Sequence, residues 1–361
     1  MIFMRKALTI AGSDSGGGAG IEADLKTFAS FGVHGLVAIT SVTAQNTREV
    51  RAIYDISPDV VAKQIEAVAD DIGVDAAKTG MLSNAEIIKA VAKTVEKYGF
   101  PLVVDPVMIA KSGAPLLRED AVEALIEYIL PIATLVTPNI PEAEKLSGIE
   151  IKCREDAKRA AKIIVKELGA GAVIVKGGHL KGHEAIDVLY YNGKFREYRA
   201  PFVKGCTHGT GCSFSAAITA NLAKGKSLEE AIGKAKEFIT MGIYYGIKIG
   251  HGHCPVNQNA WRDIPAEKWR IYEELMILGE TLTKLNDAYL LYALPAPYTR
   301  SEKDICVLRR GEIKFGAPEE LASVLMDRMR KEPDIRSALF VKGDVRFGKS
   351  PRDILKSLGI I

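Results

Sequence analysis

Short apolar runs alternate with longer amphipathic segments from the N-terminus to about residue 250. The short runs are typical of strands, and the longer segments carry apolar residues on one helical face. This alternation predicts a layered α/β domain with a largely parallel sheet. The predicted strands are Ala7–Ala11, Leu36–Val42, Ala76–Thr79, Leu102–Asp105, Leu135–Thr137 and Ala172–Val175. The predicted helices are Ile21–Phe31, Pro58–Asp70, Ala85–Tyr98, Asp120–Ile129 and Glu155–Leu168.

Polar residues and glycines follow nearly every predicted strand. Ligands of open α/β sheets bind outside the carboxyl ends of the strands, so we expect these positions to line one crevice. The same residue types also serve in ordinary turns, but six such ends at one edge favour a binding site. The six ends are Gly12–Asp14, Thr43–Asn46, Thr79–Met81, Asp105–Pro106, Thr137–Asn139 and Lys176–His179. A hairpin predicted over Val188–Tyr198, with its turn at Asn192-Gly193, is expected to cover an edge of this site.

The pattern changes from about Pro265 onward and predicts a second, small α+β domain. An amphipathic helix is predicted over Trp269–Leu285, and another over Ala317–Met329 with carboxylates in its first turn. We place the two domains at 1–262 and 263–361, with the boundary taken from the family resemblance described below.

Composition restricts the partners. The net charge is only +3 and no dense block of lysine and arginine occurs, which argues against nucleic acid and favours small molecules. The five cysteines are odd in number and form no Cys-x-x-Cys pair, which predicts reduced thiols in the cytoplasm. The N-terminus has neither a signal-peptide pattern nor a membrane span, so export and a membrane partner are not expected.

The run Gly205-Cys-Thr-His-Gly-Thr-Gly-Cys212 precedes a helix rich in small residues. Its glycines let the backbone approach a ligand, and the N–H groups that begin the helix favour a phosphate. Cys212 lies where the positive end of that helix would stabilise a thiolate able to accept a proton. The alternative is a glycine-rich loop with a buried, unreactive cysteine.

A second glycine-rich segment, Gly12–Gly20, fits neither a Walker loop nor a dinucleotide fingerprint, so we expect it to wrap a small substrate. Asp24 follows on the next helix, where it either accepts a hydrogen bond from a substrate amine or lies on a solvated face. Gln45 offers a donor and an acceptor, which suits the edge of a heteroaromatic ring.

Phosphoryl transfer requires a metal, a cation on the phosphates, N–H donors and a base for the acceptor hydroxyl, and the chain has candidates for each. Asp105, Asn139 and Glu142 are candidate ligands of Mg²⁺, directly or through water. Lys176 is the candidate phosphate contact. The N–H groups of Gly209, Thr210, Gly211 and Cys212 would stabilise the developing charge, and Cys212 would take the proton. Glu142 as a helix-terminal carboxylate and Lys176 as a surface charge are the alternatives.

Residues 7–258 resemble the hydroxymethylpyrimidine kinase/hydroxymethylpyrimidine phosphate kinase family of thiamine biosynthesis, within the ribokinase-like superfamily. The shared motifs occur in the family's order, and together they are highly specific. They are Ala11–Ile21, Ala23–Thr27, Ala44–Thr47, Lys78–Met81, Asp105–Met108, Ala110–Gly113, Thr137–Asn139, Pro141-Glu142, Lys176–His179 and Thr207–Cys212.

The resemblance implies a ribokinase-like three-layer sandwich with a mostly parallel central sheet, and a homodimer. It also implies two successive ATP-dependent steps, on the pyrimidine alcohol and then on its monophosphate. The residues that it places at the pyrimidine are Gly12, Asp24, Thr43, Gln45, Met81 and Val107, with Thr43 standing where the family often has an aliphatic residue. On the nucleotide side it places Lys176, Thr207 and Lys236, and it gives Cys212 the position of the superfamily's catalytic aspartate.

The C-terminal segment resembles the thiamine-phosphate synthase domain that is fused to this kinase in some organisms. The similar positions are Tyr292–Pro295, Phe315–Ala317 and Pro333–Ala338. Pro318 and Glu320 replace that family's Ser and His, and much of the domain's second half is missing. We therefore expect a degenerate domain kept for stability, association or ligand sensing.

Two other functions stay open at this point. One is a vitamin B6 kinase, because pyridoxal also carries a hydroxymethyl group on a six-membered heteroaromatic ring. The other is a ligand sensor that only binds, which the candidate transfer residues argue against.

Overall fold

The computed structural model describes residues 4–109, 113, 116–178, 184–282, 288–341 and 343–360, with the backbone alone at 119 and 279–282. The predicted motif residues 110–112 and His179 lie outside the described residues. The chain divides into two compact units, Met1–Asn259 and Ala260–Ile361. The division falls three residues before the one drawn from sequence.

The first unit alternates strands and helices, as the hydrophobic pattern predicts. Its strands are β1 (Lys6–Ala11), β2 (His34–Ile39), β3 (Ser41–Gln45), β4 (Val50–Asp55), β5 (Ala76–Thr79), β6 (Leu102–Val104), β7 (Leu135–Val136), β8 (Ala172–Val175), β9 (Glu184–Tyr191) and β10 (Lys194–Pro201). Its helices are α1 (Gly20–Ser30), α2 (Pro58–Asp71), α3 (Ala85–Tyr98), α4 (Glu119–Ala124), α5 (Ile140–Ser147), α6 (Arg154–Lys166), α7 (Thr210–Ala223) and α8 (Leu228–Tyr244).

The first unit is built around a central sheet. Among the described residues it has eight strands in the order β10-β9-β8-β7-β6-β5-β1-β2. Strands β2, β1, β5, β6, β7 and β8 are parallel, whereas β9 pairs antiparallel with both β8 and β10 at one edge. Strands β5 and β8 are buried along their whole length. The α/β class with a mostly parallel sheet is therefore confirmed, and the carboxyl ends of the parallel strands share one edge.

The single strand predicted over Leu36–Val42 is wrong, because the chain leaves the central sheet at Thr40. The Thr40 hydroxyl donates to the carbonyl of Met81 at 2.6 Å, and its N–H donates to Ala11 O at 3.0 Å. From Ser41 onward the chain forms β3, which pairs with β4 in a separate two-stranded antiparallel sheet. Residues 43–45, expected to follow a strand, therefore lie within one.

Two other local predictions can be compared with the structure. The helix predicted over Asp120–Ile129 is α-helical only to Ala124 and continues as one π-helical turn, Leu125–Ile129. The predicted hairpin turn is confirmed, since Asn192 and Gly193 have φ of 49° and 76°, the left-handed values that a type I′ turn needs.

The second unit is a small α+β unit, as predicted. Its elements are helix α9 (Ala260–Leu282), strands β11 (Tyr289–Ala293), β12 (Ile305–Arg309) and β13 (Glu312–Phe315), helix α10 (Glu319–Lys331), strands β14 (Ser337–Val341) and β15 (Asp344–Gly348), and helix α11 (Pro351–Ser357). The strands form an antiparallel sheet in the order β13-β12-β11-β14-β15. Leu291, Ile305 and Leu325 are central members of its core.

Helix α9 begins nine residues before its predicted start at Trp269, and Pro265 lies inside it. Proline lacks an N–H and normally marks a helix start, which is why the sequence suggested a later beginning. The earlier turns are stabilised by packing, since Ala260 and Ile264 are buried on the same side as Ile271 and Leu275. Of the helices described, none is long and apolar enough to cross a membrane.

Candidate active site

The first turn of α7 lies against two charged side chains that follow β6 and β8, two strands separated by β7. Gly209 precedes the helix with a φ of 78°, and no described side chain caps the N-terminus. A Cβ added to Gly211 would lie 3.3 Å from both Asp105 Oδ2 and Lys176 Nζ. Glycine therefore lets the start of the helix approach this ion pair closely. N–H groups at a helix start that lie beside an ammonium form a site suited to a phosphate.

Asp105 and Lys176 form the ion pair at this site. Lys176 Nζ lies 2.9 Å from Asp105 Oδ1, with 2 % of the Asp105 side chain and 17 % of the Lys176 side chain exposed. The Thr137 hydroxyl donates to the same carboxylate at 3.2 Å. Burial alone would lower the pKa of Lys176, but the charges of Asp105 and Glu142 raise it. Lys176 thus stays cationic, and it is not the freely solvated surface charge of the alternative interpretation.

Asn139 and Glu142 begin α5 as a capping box. The Asn139 side chain accepts from the Glu142 N–H at 2.9 Å, and Glu142 Oε2 accepts from the Asn139 N–H at 2.8 Å. Glu142 is buried, and burial raises its pKa to about 7, with Asp105 raising it and Lys176 lowering it. The helix-terminal role is therefore real, yet the same carboxyl is also close enough to Asp105 and Lys176 to interact with both.

The predicted magnesium ligands fit a cation that is held partly by water and phosphate. Within the described part of the chain, no group of three or more His, Cys, Asp or Glu side chains forms a ready metal cluster. Asp105 and Glu142 nevertheless bring two carboxylates to one sheet edge, and both are buried. Mg²⁺ commonly takes one or two carboxylates plus substrate phosphates and retains several waters. The donor set suits that kind of coordination.

Cys212 is the third residue of α7, but its thiol is not activated as the sequence suggested. The pKa of the Cys212 thiol is raised to about 12, chiefly by burial and also by the charges of Asp24 and Asp105. The Lys78 ammonium and the Gly20 N–H act in the opposite direction. The prediction of a thiolate in the ligand-free site is therefore wrong, because desolvation outweighs the helix terminus and the nearby cation.

Asp24 is fully buried and engaged by other side chains. Its Oδ2 lies 2.9 Å from Lys78 Nζ, and neither side chain has exposed surface. The Thr9 hydroxyl donates to the same oxygen at 2.7 Å. The solvated-face alternative is excluded, and in this arrangement the carboxylate faces Lys78 and Thr9 rather than open space.

Gln45 is held against the glycine-rich loop between β1 and α1. Its N–H donates to Ser15 Oγ at 2.8 Å, and the Ser15 hydroxyl donates back to Gln45 O at 2.7 Å. The buried Thr43 hydroxyl donates to Ser13 O at 2.8 Å and lies 3.4 Å from Gln45 Oε1. The backbone of the half-buried Gln45 is therefore fixed beside the loop that was predicted to wrap the substrate.

The remaining pyrimidine-side candidates follow β1, β5 and β6. A Cβ on Gly12 would lie 3.2 Å from Met81 Sδ, so glycine gives the buried Met81 side chain room. Val107 is half-buried, and its N–H donates to Asp105 O at 2.8 Å. These positions share the carboxyl edge of the sheet, as the strand-end pattern predicts.

Lys236 is paired rather than free. Its ammonium lies 2.7 Å from Asp187 Oδ2, and Asp187 Oδ1 accepts from the Gly177 N–H at 3.0 Å. Lys236 also lines a cavity of about 580 Å³ together with Tyr198, Pro201, Val203, Thr240 and Tyr244. Thr207, the other nucleotide-side candidate, is exposed in the loop before α7. Asp187 thus connects the cavity wall to the backbone next to Lys176.

The prediction of five reduced cysteines is wrong. Cys206 and Cys254 form a disulfide, whereas Cys153, Cys212 and Cys306 are free. The pairing joins residues 48 apart, so neither spacing nor an odd count could reveal it. The disulfide joins Cys206, the residue before Thr207, to the segment that contains Pro255, which pairs with His208.

Sequence reasoning assigned no role to Lys78, Asp14, His208 or Asp187. Lys78 could have been identified from the sequence, because it lies near the end of an apolar strand, where a buried charge needs a partner. Asp14 and His208 lie inside the quoted motifs, but their 3.1 Å contact joins positions 194 apart. Asp187 belongs to the edge hairpin and carried no signal of its own.

Comparison with known proteins agrees with this geometry. Residues 14–257 match the family described as phosphomethylpyrimidine kinase. The hydroxymethylpyrimidine/phosphomethylpyrimidine kinase of Bacillus subtilis is 48 % identical over 260 residues, covering 71 % of this chain and 96 % of the relative. The phosphomethylpyrimidine kinase structure from Clostridium difficile is 48 % identical, with a TM-score of 0.59, and covers 65 % of this chain and 98 % of its own. The pyridoxal kinase of Staphylococcus aureus, in complex with AMP-PCP and pyridoxal, is 41 % identical with a TM-score of 0.67, over 72 % of this chain and 95 % of its own.

Proposed function

The chain belongs to the phosphomethylpyrimidine kinase family, and from this premise we propose that it phosphorylates hydroxymethylpyrimidine and then its monophosphate, using ATP. The product is the pyrimidine diphosphate of thiamine biosynthesis. The C-terminal unit lies beyond the matched residues 14–257, and the expectation of a degenerate synthase-like domain stays a prediction.

The observation that carries this proposal is the approach of the α7 N-terminus to Asp105 and Lys176. Gly211 brings N–H donors beside an ammonium, and Glu142 adds a carboxylate to the same edge. Donors fixed before the reaction stabilise charge on a transferring phosphoryl group without further reorganisation. A module that only binds a ring would not need this arrangement.

The candidate residues fall into two groups, one that would bind ATP and one that would bind the pyrimidine. Lys176 would bind the phosphates, while the N–H groups of Thr210, Gly211 and Cys212 would stabilise the transferred group. Asp105, Asn139 and Glu142 are the residues that would hold Mg²⁺, which neutralises phosphate charge when bound. Lys236 and Thr207 belong to the nucleotide side, and the cavity beside Lys236 is of a size for a base.

On the acceptor side, Gln45 would bind the ring edge, with Gly12, Thr43, Met81 and Val107 around the ring. Asp24 is retained as a pyrimidine contact only as a prediction, because its carboxylate must turn from Lys78 to reach a substrate amine. Cys212 would accept the hydroxyl proton. The ligand-free thiol holds its own proton, so it can act as a base only after that proton has passed to solvent, and Lys78 and the Gly20 N–H are the groups that stabilise the resulting thiolate.

Phosphorylation of pyridoxal is the second candidate function. The similarity to the Staphylococcus aureus pyridoxal kinase favours it, since that protein binds pyridoxal and AMP-PCP on a similar fold. The family match and the Bacillus subtilis relative favour the pyrimidine. Homodimer formation and a cytoplasmic location stay predictions.

The test is product analysis by mass spectrometry with ATP, Mg²⁺ and, separately, hydroxymethylpyrimidine, its monophosphate and pyridoxal. Pyrimidine diphosphate supports the two-step kinase, and phosphorylated pyridoxal alone would move the function to vitamin B6. Cys212→Ser should bind both substrates yet lose most turnover. Cys306→Ser, which removes a buried free thiol in the other unit, is the matched control.

A further inference from the structure

Asp14 and His208 join the two glycine-rich loops of the site. His208 Nε2 lies 3.1 Å from Asp14 Oδ2, with 10 % of the imidazole side chain and 3 % of the carboxylate side chain exposed. Asp14 follows β1 on the acceptor side, and His208 lies four residues before Cys212. The pair is therefore a buried link between two glycine-rich segments. One is Gly12–Gly20, which lies beside Gln45, and the other is Gly205–Cys212, which leads into α7.

Asp14 also organises its own loop. Its carboxylate accepts backbone N–H groups from Gly16 at 2.8 Å, Gly18 at 3.2 Å and Ala19 at 2.9 Å. Burial alone would raise the pKa of Asp14, but the hydrogen bonds from His208 and Gly16 lower it. One carboxylate thus receives three backbone donors of one loop and the imidazole of the other, so it connects the conformation of its own loop to the position of His208.

His208 is fixed from the opposite direction by its backbone. Its N–H donates to Cys254 O at 3.1 Å, and its carbonyl accepts from the Val256 N–H at 3.0 Å. The two loops also touch directly, because a Cβ at Gly18 would overlap the His208 ring and one at Gly209 would overlap Gly18 O. Their separation is therefore set by backbone contact, by the Asp14–His208 pair and by the Gly20 N–H at the Cys212 thiol.

We propose that Asp14 and His208 are positioning residues. They set the distance between the bound acceptor hydroxyl and the N–H groups of Thr210, Gly211 and Cys212 at the start of α7. The inference rests on the proposed function for its reaction, but the link itself is a property of the two loops. In-line transfer is sensitive to small displacements, since a shift of about 1 Å can cost about a hundredfold in rate. Loosening the link should reduce kcat while leaving the binding surfaces for both substrates in place.

The test compares Asp14→Asn, His208→Asn and the double variant in the full chain. We expect kcat to fall about ten- to a hundredfold in each single variant, with KM for ATP and for the pyrimidine changed less than about threefold. The double variant should be no slower than the slower single variant, because both changes break one link. If Asp14→Asn does not fold, His208→Asn and His208→Gln carry the comparison.

Asp75→Asn is the matched control. Asp75 also accepts a backbone N–H, from Lys6 at 2.8 Å, and pairs with Arg5, but it lies before β5 at the amino end of the sheet. It should lower thermal stability without the selective loss of kcat. Unchanged kcat in the His208 variants, or losses that add fully in the double variant, would overturn the proposal.

Amide hydrogen exchange separates this inference from the proposed function. His208→Asn should speed exchange in both loops, 14–19 and 205–212, whereas Asp75→Asn should not. If the wild-type protein phosphorylates none of the three compounds, the proposed function fails, and faster exchange in both loops still supports the link. Exchange that rises only in 205–212 would show that the loops are not coupled.

Discussion

Lys78 and Asp24 form an ion pair with no exposed surface, 2.9 Å between Nζ and Oδ2, beneath the start of α7. Burial alone would lower the pKa of Lys78, but Asp24, Cys212 and Asp105 raise it, so the ammonium is retained among three acidic groups. The pair therefore links the helix after the glycine-rich loop to the residue proposed as the base.

Asp24→Asn should strongly destabilise the protein. The change leaves the Lys78 ammonium buried without its counter-charge, and breaking a buried pair in this way costs about 3–5 kcal/mol. Chemical denaturation gives the change in the free energy of unfolding. Asp59→Asn, which breaks the exposed pair with Lys63, should cost much less, because solvent screens the charges of an exposed pair. Equal costs would show that the buried pair is not needed for folding.

The Cys212 thiol should react slowly with alkylating agents when no ligand is bound. Because burial raises its pKa to about 12, the thiolate fraction stays small at neutral pH. Iodoacetamide labelling followed by peptide mass spectrometry should show a Cys212 rate that still rises at pH 9, with the exposed Cys153 as internal reference. A rate that levels off below pH 8 would mean that the thiolate is already formed in the ligand-free site.

Glu142 should make stability decrease with rising pH. Its pKa is raised from 4.5 to about 7 by burial, so between these values the folded protein holds a proton that the unfolded chain has lost. The folded state then binds more protons, and the free energy of unfolding falls as pH rises through this window. Urea titrations from pH 4.5 to 7 should show this slope in the wild type and a smaller one in Glu142→Gln. Identical slopes would place the proton elsewhere.

The strands and helices of the first unit were predictable because each is a local pattern. Ala76–Thr79, Ala85–Tyr98 and Ala172–Val175 have the bounds that the hydrophobic pattern predicts. The start of α9 was not predictable from the sequence. Pro265 normally indicates a helix start, but the burial of Ala260 and Ile264 stabilises helical turns before it.

The site shows the same division between local signals and distant contacts. Strand ends predicted the edge that carries Asp105, Asn139 and Lys176, because parallel strands bring their carboxyl ends together. The partners of the buried charges could not be predicted, since Lys78 meets Asp24 across 54 positions. Burial also decides the state of Cys212, and a loop sequence does not state how deeply its thiol is buried.

Breaking the Cys206–Cys254 disulfide should destabilise the first unit. The bond closes a loop between residues 48 apart, and such a constraint is worth about 2–4 kcal/mol. Cys206→Ser/Cys254→Ser, or the wild type in dithiothreitol, should unfold at lower denaturant concentration. Cys153→Ser removes an exposed free thiol and should unfold as the wild type does. Labelling of all five cysteines without reductant would contradict the bond itself.

Lys236→Met should weaken the use of ATP selectively. The change leaves the Asp187 carboxylate, with 6 % of its side chain exposed, with the Gly177 N–H but without its cation. Lys236 lines the cavity, and Gly177 follows Lys176. The substitution should therefore affect the binding of ATP more than the binding of the pyrimidine. We expect KM for ATP to rise about tenfold, equivalent to ~1.4 kcal/mol, while KM for the pyrimidine stays nearly constant.

Lys234→Met provides the comparison for this prediction, since Lys234 is on the same helix but exposed and paired with Glu237. Steady-state kinetics with each substrate varied in turn should leave both KM values of this variant unchanged. If Lys236→Met raised the two KM values equally, Lys236 would serve the fold of the unit as a whole, and the cavity beside it would lose its assignment to the nucleotide.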